Sequence, residues 1–168
     1  MTDETEMQSI FCDIGKEYGF EQVTAAFSPE YDLKVAWRRM GSWIDFWISD
    51  YLVNAPKDVL ESLARMIYGR IRDYGKTPYS SELIEYVTGR DFIEENRATF
   101  LSRICGISPG PMGRHVDLTD SYGRLLDKGL VEQEDELVLR WSALTDNDAI
   151  GRSSALMKTV CMNRRLDS

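Results

Sequence analysis

The chain has 168 residues, 43% of them hydrophobic and 29% charged, with a formal net charge of -8. That is room for one domain, or one domain plus a short appendage, and it excludes long-range disorder, collagen-like structure and a generic basic surface for duplex nucleic acid. No run of about 18 apolar residues is present, and MTDETEMQSI at the start is acidic and lacks an apolar signal core, so a cytoplasmic location without membrane contact is expected.

The charge is concentrated at the start. Residues 1–30 hold seven acids against Lys16, a net of -6, and residues 31–168 carry only -2. Within that acidic stretch Met7, Ile10, Phe11, Ile14 and Tyr18 recur at helical spacing. The spacing predicts an amphipathic helix over 4–20, either packed on the domain or free as a partner-docking arm.

Residues 31–53 predict two strands. Leu33, Val35 and Trp37 alternate with Lys34 and Arg38; Ile44, Phe46 and Ile48 alternate with Asp45, Trp47 and Ser49. Met40-Gly41-Ser42 between them predicts a hairpin, because glycine tolerates a positive φ. Arg38, Arg39, Trp43 and Trp47 then lie near one another. Such a group stacks bases in some proteins, and in others is a covered sheet face crossed by arginine stems.

Residues 56–74 form the clearest helix. Val59, Leu60, Leu63, Ala64, Ile67, Tyr68 and Ile71 make an unbroken core stripe, Asn54-Ala55-Pro56 offers a cap, and Gly75 a stop. Two short helices follow. Ser80 starts one carrying Leu83, Ile84 and Val87, and the other runs from about Asp91 to Ile104, burying Ile93, Phe100, Leu101 and Ile104. ISPGPMG is a breaker. A helix within 114–131 is capped by Asp117 or Thr119, with Gly129 past its end and Leu118, Tyr122, Leu125 and Leu126 facing inward. LVLRWS at 137–142 predicts a strand, TDNDAIG a turn, and 153–163 the last strand. RRLDS then shows no cap or closing element. The fold class is α+β. A small mixed or antiparallel sheet is expected, the hairpin pairing at long range with the two C-terminal strands, and helices packing on it.

Few residues carry chemistry. Cys12, Cys105 and Cys161 are far apart, odd in number and without a C-x-x-C spacing, so they read as reduced apolar residues. His115 is the one histidine. It stands beside Arg114, as a general base or phosphate contact, or simply as a polar residue at a helix start. A triad of Ser108, Ser121 or Ser153 with His115 and Asp117 or Asp120 lacks any G-x-S-x-G support. Gly106-x-x-x-Gly110 lacks the lysine of a phosphate loop. Glu94-Glu95, Asp146/Asp148 and Arg164-Arg165 read as solvated pairs. No H-E-x-x-H can be written with a lone histidine, so no metal, cofactor or catalytic residue is assigned.

The stretch YDLKVAWRRMGSWIDFWISDYLVNAPKDVLESLARMIYGRI resembles the N-terminal half of SprT-like/YgjP-like zinc metallopeptidases of the zincin fold, in which an arginine- and tryptophan-rich hairpin precedes an AP-x-x-V helix. RHVDLTDSYGRLLDKGLV and SSALMKTVCMNRRLDS are similar to later elements of that group, so the likeness spans about 31–168. The resemblance implies a 1–30 extension ahead of a zincin-like domain at 31–168, with the zinc-binding helix still to follow. The ligands of that helix have no matching positions here. The expected function is therefore metallopeptidase-like but non-catalytic, as a fragment or as a short relative kept for binding. The alternative is a module that binds protein or single-stranded nucleic acid, with Arg38, Arg39, Trp43, Trp47, Arg114 and His115 as its surface. A terminal strand at a sheet edge would also invite a second copy of the chain.

Overall fold

The computed structural model describes residues 4–106, 110–143 and 150–167. Among them are five α-helices and six strands, the strands in two mixed sheets of three. The α+β class expected from the sequence holds. The expected single sheet does not: the N-terminal and C-terminal strands pair only within their own sets. The chain divides into two compact units, 1–92 and 93–168.

The first unit is built on β1 (Gln22–Ser28), β2 (Val35–Met40) and β3 (Trp43–Ser49), in the order β1-β3-β2. The hairpin forms as expected: β2 pairs antiparallel with β3, Met40 opposite Trp43, and Gly41 takes φ +63° in the turn. β1 runs parallel to β3, with Val23 opposite Ile44 and Ala25 opposite Phe46. The sequence of β1 carries only a weak strand signal, because its inward positions include a small alanine. Its stability comes from partners on both sides. β3 supplies the ladder along one edge. On the other, the Gln8 amide imitates a strand, donating to the Val23 carbonyl at 2.8 Å and accepting from the Ala25 N–H.

Gln8 belongs to α1 (Glu4–Glu17), whose Met7, Ile10, Phe11 and Ile14 are buried. Of the two roles open to this helix, packing is the one observed. Residues 1–30, expected as an extension, thus contribute a helix and a sheet strand to the first unit. α2 (Lys57–Arg72) buries its predicted stripe from Val59 to Tyr68 beside α1. Pro56, rather than Asn54, occupies its N-cap position, with no side-chain cap. α3 (Ser81–Thr88) starts as predicted, the Ser80 hydroxyl accepting the Leu83 N–H at 3.2 Å, and buries Leu83.

Tyr68 sits at the centre of this unit and is fully buried. Its ring lies 5.2 Å from Phe46 of the sheet, 5.5 Å from Phe20 and 6.3 Å from Phe11 of α1. Its hydroxyl donates to the Phe11 carbonyl at 2.9 Å, and burial pushes the phenol far above its ordinary pKa. Gly15 permits this approach: a Cβ there would lie 2.6 Å from the Tyr68 hydroxyl and 2.7 Å from Val23.

The second unit repeats the strand plan with unrelated sequence. β4 (Val138–Ser142) is parallel to β6 (Thr159–Asn163), β5 (Gly151–Ser154) is antiparallel to it, and the order is β4-β6-β5. The single strand expected over 153–163 is therefore the β5–β6 hairpin, turned at 155–158 with Lys158 at φ +46°. α4 (Arg90–Cys105) begins at the end of the first unit, where Phe92 is buried 5.3 Å from the Tyr86 ring, and in the second unit buries Phe100 and Ile104, while Ile93 and Leu101 stay half-exposed. α5 (Leu118–Asp127) is capped by the Asp117 carboxylate on the Thr119 N–H at 2.7 Å. Only Leu118 of its expected inward set is buried; Leu125 is exposed. Most of the TDNDAIG turn lies outside the described residues.

Gly15→Ala is expected to lower the stability of the first unit by about 1–3 kcal/mol through overpacking, despite alanine's better helix propensity. Tyr68→Phe is expected to cost about 1 kcal/mol for the lost hydrogen bond. Urea unfolding followed by tryptophan fluorescence checks both; a stabilised Gly15→Ala chain would contradict the contact.

Candidate binding face

Successive side chains of a strand alternate between faces, so the β3 register sorts the first sheet into two surfaces. Ile44, Phe46 and Ile48 point to α1 and α2 and are buried. Trp43, Asp45 and Trp47 point the other way. Their cross-strand partners are Gln22, Thr24 and Ala26 on β1 and Met40, Arg38 and Ala36 on β2. This second face is open. Trp43 is 54% exposed, Met40 64% and Trp47 37%. The two indoles stand four residues apart on one strand, about 13 Å. Alanines on both sides of Trp47 leave its ring proud of the sheet.

A polar row crosses the middle of the face. The Thr24 hydroxyl donates to Asp45 Oδ1, and Arg38 donates to Asp45 Oδ2 at 2.8 Å. The Thr24 hydrogen bond, then the Arg38 guanidinium, hold the Asp45 carboxyl below its usual range. Arg38 also lies 5.8 Å from the centre of the Trp47 ring. The row is thus matched within itself, between two apolar patches. A shallow cavity of about 270 Å³ opens between Trp43, Met40 and the Arg38–Asp45 pair.

Three of the four hairpin residues picked out from the sequence, Arg38, Trp43 and Trp47, share this face. Arg39 does not: it lies over the Phe20 ring at 5.2 Å and donates to the Gly41 carbonyl. Met40 and Asp45 were missed as members. The two-residue turn was the available signal, since it sets Met40 opposite Trp43 and Arg38 opposite Asp45.

Arg114 and His115 fall in the second unit, and their side chains are exposed. Their backbone is what the structure uses. The Arg114, His115 and Val116 N–H groups all donate to the Asp167 carboxylate, the latter two at 2.9 Å. Asp167 is 5% exposed and ends the short 3₁₀ turn Arg164–Asp167. A Cβ on Gly113 would lie 2.5 Å from its oxygens, so the glycine makes room for the carboxylate. Asp167, in a stretch that shows no closing element in the sequence, therefore closes the second unit. The backbone hydrogen bonds hold the Asp167 carboxyl below its usual range.

The other candidates separate. The Ser121 hydroxyl donates to the Asp117 carbonyl, and the Asp117 carboxylate is engaged as the α5 cap. Ser108, Asp146 and Asp148 lie outside the described residues. Cys105 and Cys161 are buried as free thiols. The Cys161 partner and then burial push the Cys105 thiol up. Among the described residues, no three His, Cys, Asp or Glu side chains stand together where they could hold a metal ion. No described helix is long and apolar enough to cross a membrane. No protein-family model matches the chain, and neither a curated protein nor a solved structure matches it.

Asp167 makes the second unit sensitive to acid. Its pKa is lowered on folding from the ordinary 3.8, so its contribution is complete above that value and is lost as pH falls through the lower folded value. Asp167→Asn is expected to destabilise the second unit at neutral pH and to flatten this acid limb. Amide NMR signals of Arg114–Val116, followed between neutral and strongly acid pH, check both. An unchanged acid limb in the variant would contradict the assignment.

Proposed function

We propose that the chain is a protein-binding module whose partner docks on the open face of the first sheet, anchored by Trp43 and Trp47. One observation carries the reading: two exposed indoles and Met40 surround a charge row that is already matched internally. Tryptophan is enriched among the residues that dominate binding energy, and charge is depleted at interface centres. Single-stranded nucleic acid is the weaker partner. Arg38 is met by Asp45 on this face, so it is not left as a free cation for a phosphate backbone.

A photo-crosslinking amino acid in place of Trp43, in cells making the chain, tests this. A discrete protein adduct is expected that is lost on adding Trp47→Ala. The same probe at Tyr74, 94% exposed, should give none. Equal adducts at both positions, or salt-dependent binding of oligo-dT with none to protein, would overturn the reading.

Metallopeptidase-like descent is a second reading, supported by the order of residues 35–72: hairpin, short turn, then a helix packed on the sheet. Elemental analysis of the purified chain is expected to find well under one zinc per molecule. Tightly held stoichiometric zinc would refute the non-catalytic part of that reading.

A further inference from the structure

The two edges of the first sheet are treated differently. At β1 the outer edge is taken up by the Gln8 amide, which occupies the Val23 carbonyl and the Ala25 N–H. At β2 the outer edge pairs with no other strand among the described residues. Charged side chains often guard such an edge. Here both candidates lean away from the rim: Arg38 across the open face onto Asp45 of the neighbouring strand, and Arg39 onto Phe20 and Gly41.

Below this edge lies a cavity of about 240 Å³ between β2, α2 and α3. Val35 and Trp37 roof it, Leu63 and Ile67 of α2 form its floor, and Leu83 and Tyr79 close its far side. Trp37 shares the inward face with Phe46, which is buried, yet is 48% exposed. The difference is position: Phe46 is on the central strand, whereas Trp37 is on the edge strand, with no further strand beside it among the described residues. A single charge faces the cavity without an opposite one. Arg70 lies 4.0 Å over the Tyr79 ring and donates to the Thr77 carbonyl, with no carboxylate on it among the described residues. Lys34, also at the wall, is taken by Glu30 at 2.8 Å.

We infer that this groove receives an extended peptide of a partner protein. The peptide adds to β2 as a fourth strand, places one bulky apolar side chain in the cavity and sets a carboxylate against Arg70. An unpaired ladder alone would accept any chain. The ladder, the apolar cavity beneath it and the unmatched cation together select alternate side chains, as strand-addition grooves do. The net acidity of the unit does not prevent a carboxylate from docking, because screening confines the effect of distant charges to about 8 Å at physiological salt. The carboxylate is either a chain terminus or an acidic side chain. The site is distinct from the open tryptophan face and does not depend on it.

A synthetic heptapeptide mixture tests the inference, with Val, Ile, Leu or Phe at odd positions and Ser or Thr at even ones. It is made with a free C-terminus, with an amidated C-terminus, and amidated with a final Glu. In an isotope-labelled chain, binding is expected to shift the Val35–Met40 amides and the Leu63, Ile67 and Leu83 methyls. Amidation without Glu, and Arg70→Gln, are each expected to weaken binding about tenfold, the worth of one charged hydrogen bond. Which carboxylate form binds identifies its source. Backbone N-methylation of the peptide, which leaves the protein untouched, is expected to abolish binding. Four results would overturn the proposal: no binding by any member at millimolar concentration, indifference to N-methylation, shifts centred on Trp43 and Trp47, or the same groove shifts arising from self-association of the chain alone. The third would still leave the open-face reading standing.

Discussion

The contact between Tyr68 and Gly15 is the constraint on which the first unit depends. A helix that carried a side chain at position 15 could not lie so close to both Tyr68 and Val23. With α1 held off, the Phe11 ring could not reach Phe46, which it now meets at 5.0 Å, and Gln8 could not reach β1. One absent methyl thus decides how α1, α2 and the inward sheet face share a core. Interiors are packed closely enough that such a displacement has no slack to absorb it. The first unit also holds the larger part of the chain's acidity; its helix docks through buried apolar contact and hydrogen bonds, joined at the surface by the ion pair of Glu17 on α1 with Arg65 on α2 at 2.6 Å.

The same docking creates the asymmetry that matters for binding. α1 and α2 cover one face of a three-stranded sheet and leave the other bare. Gln8 seals one edge, and among the described residues nothing comparable seals the other. A sheet this small has more rim than interior, and every face or edge its own chain does not cover is available to a partner. The open face offers tryptophans around an internally neutral row. The β2 edge offers a ladder above an apolar cavity. These are two kinds of recognition, one by side-chain burial and one by main-chain pairing, and they stand on opposite surfaces of the same strands.

The second unit is held by a different device. Three successive N–H groups at Arg114–Val116 converge on one carboxylate from the end of the chain. Converging N–H dipoles favour a charged acceptor over a neutral one. The residues that looked most reactive there, Arg114 and His115, act through their backbone. Their side chains were the obvious feature because histidine and arginine suggest chemistry, yet the peptide groups beneath them do the structural work.

What the sequence determined by itself are the features that depend on neighbours along the chain: the stripes of α1 and α2, the β2–β3 hairpin with its glycine turn, the Ser80 and Asp117 caps, and the separation of Trp43 and Trp47 from Ile44, Phe46 and Ile48. Period and turn chemistry are local, and they are written in the residues. Tertiary structure alone decided the rest. β1 is a strand because a glutamine from α1 and the backbone of β3 hold it. The strands divide into two sheets because each hairpin takes its third, parallel strand from its own unit. Asp167 closes a unit from 51 residues or more away in sequence. Pairings of that range cost loop closure, and only the packed core settles which of them repay it.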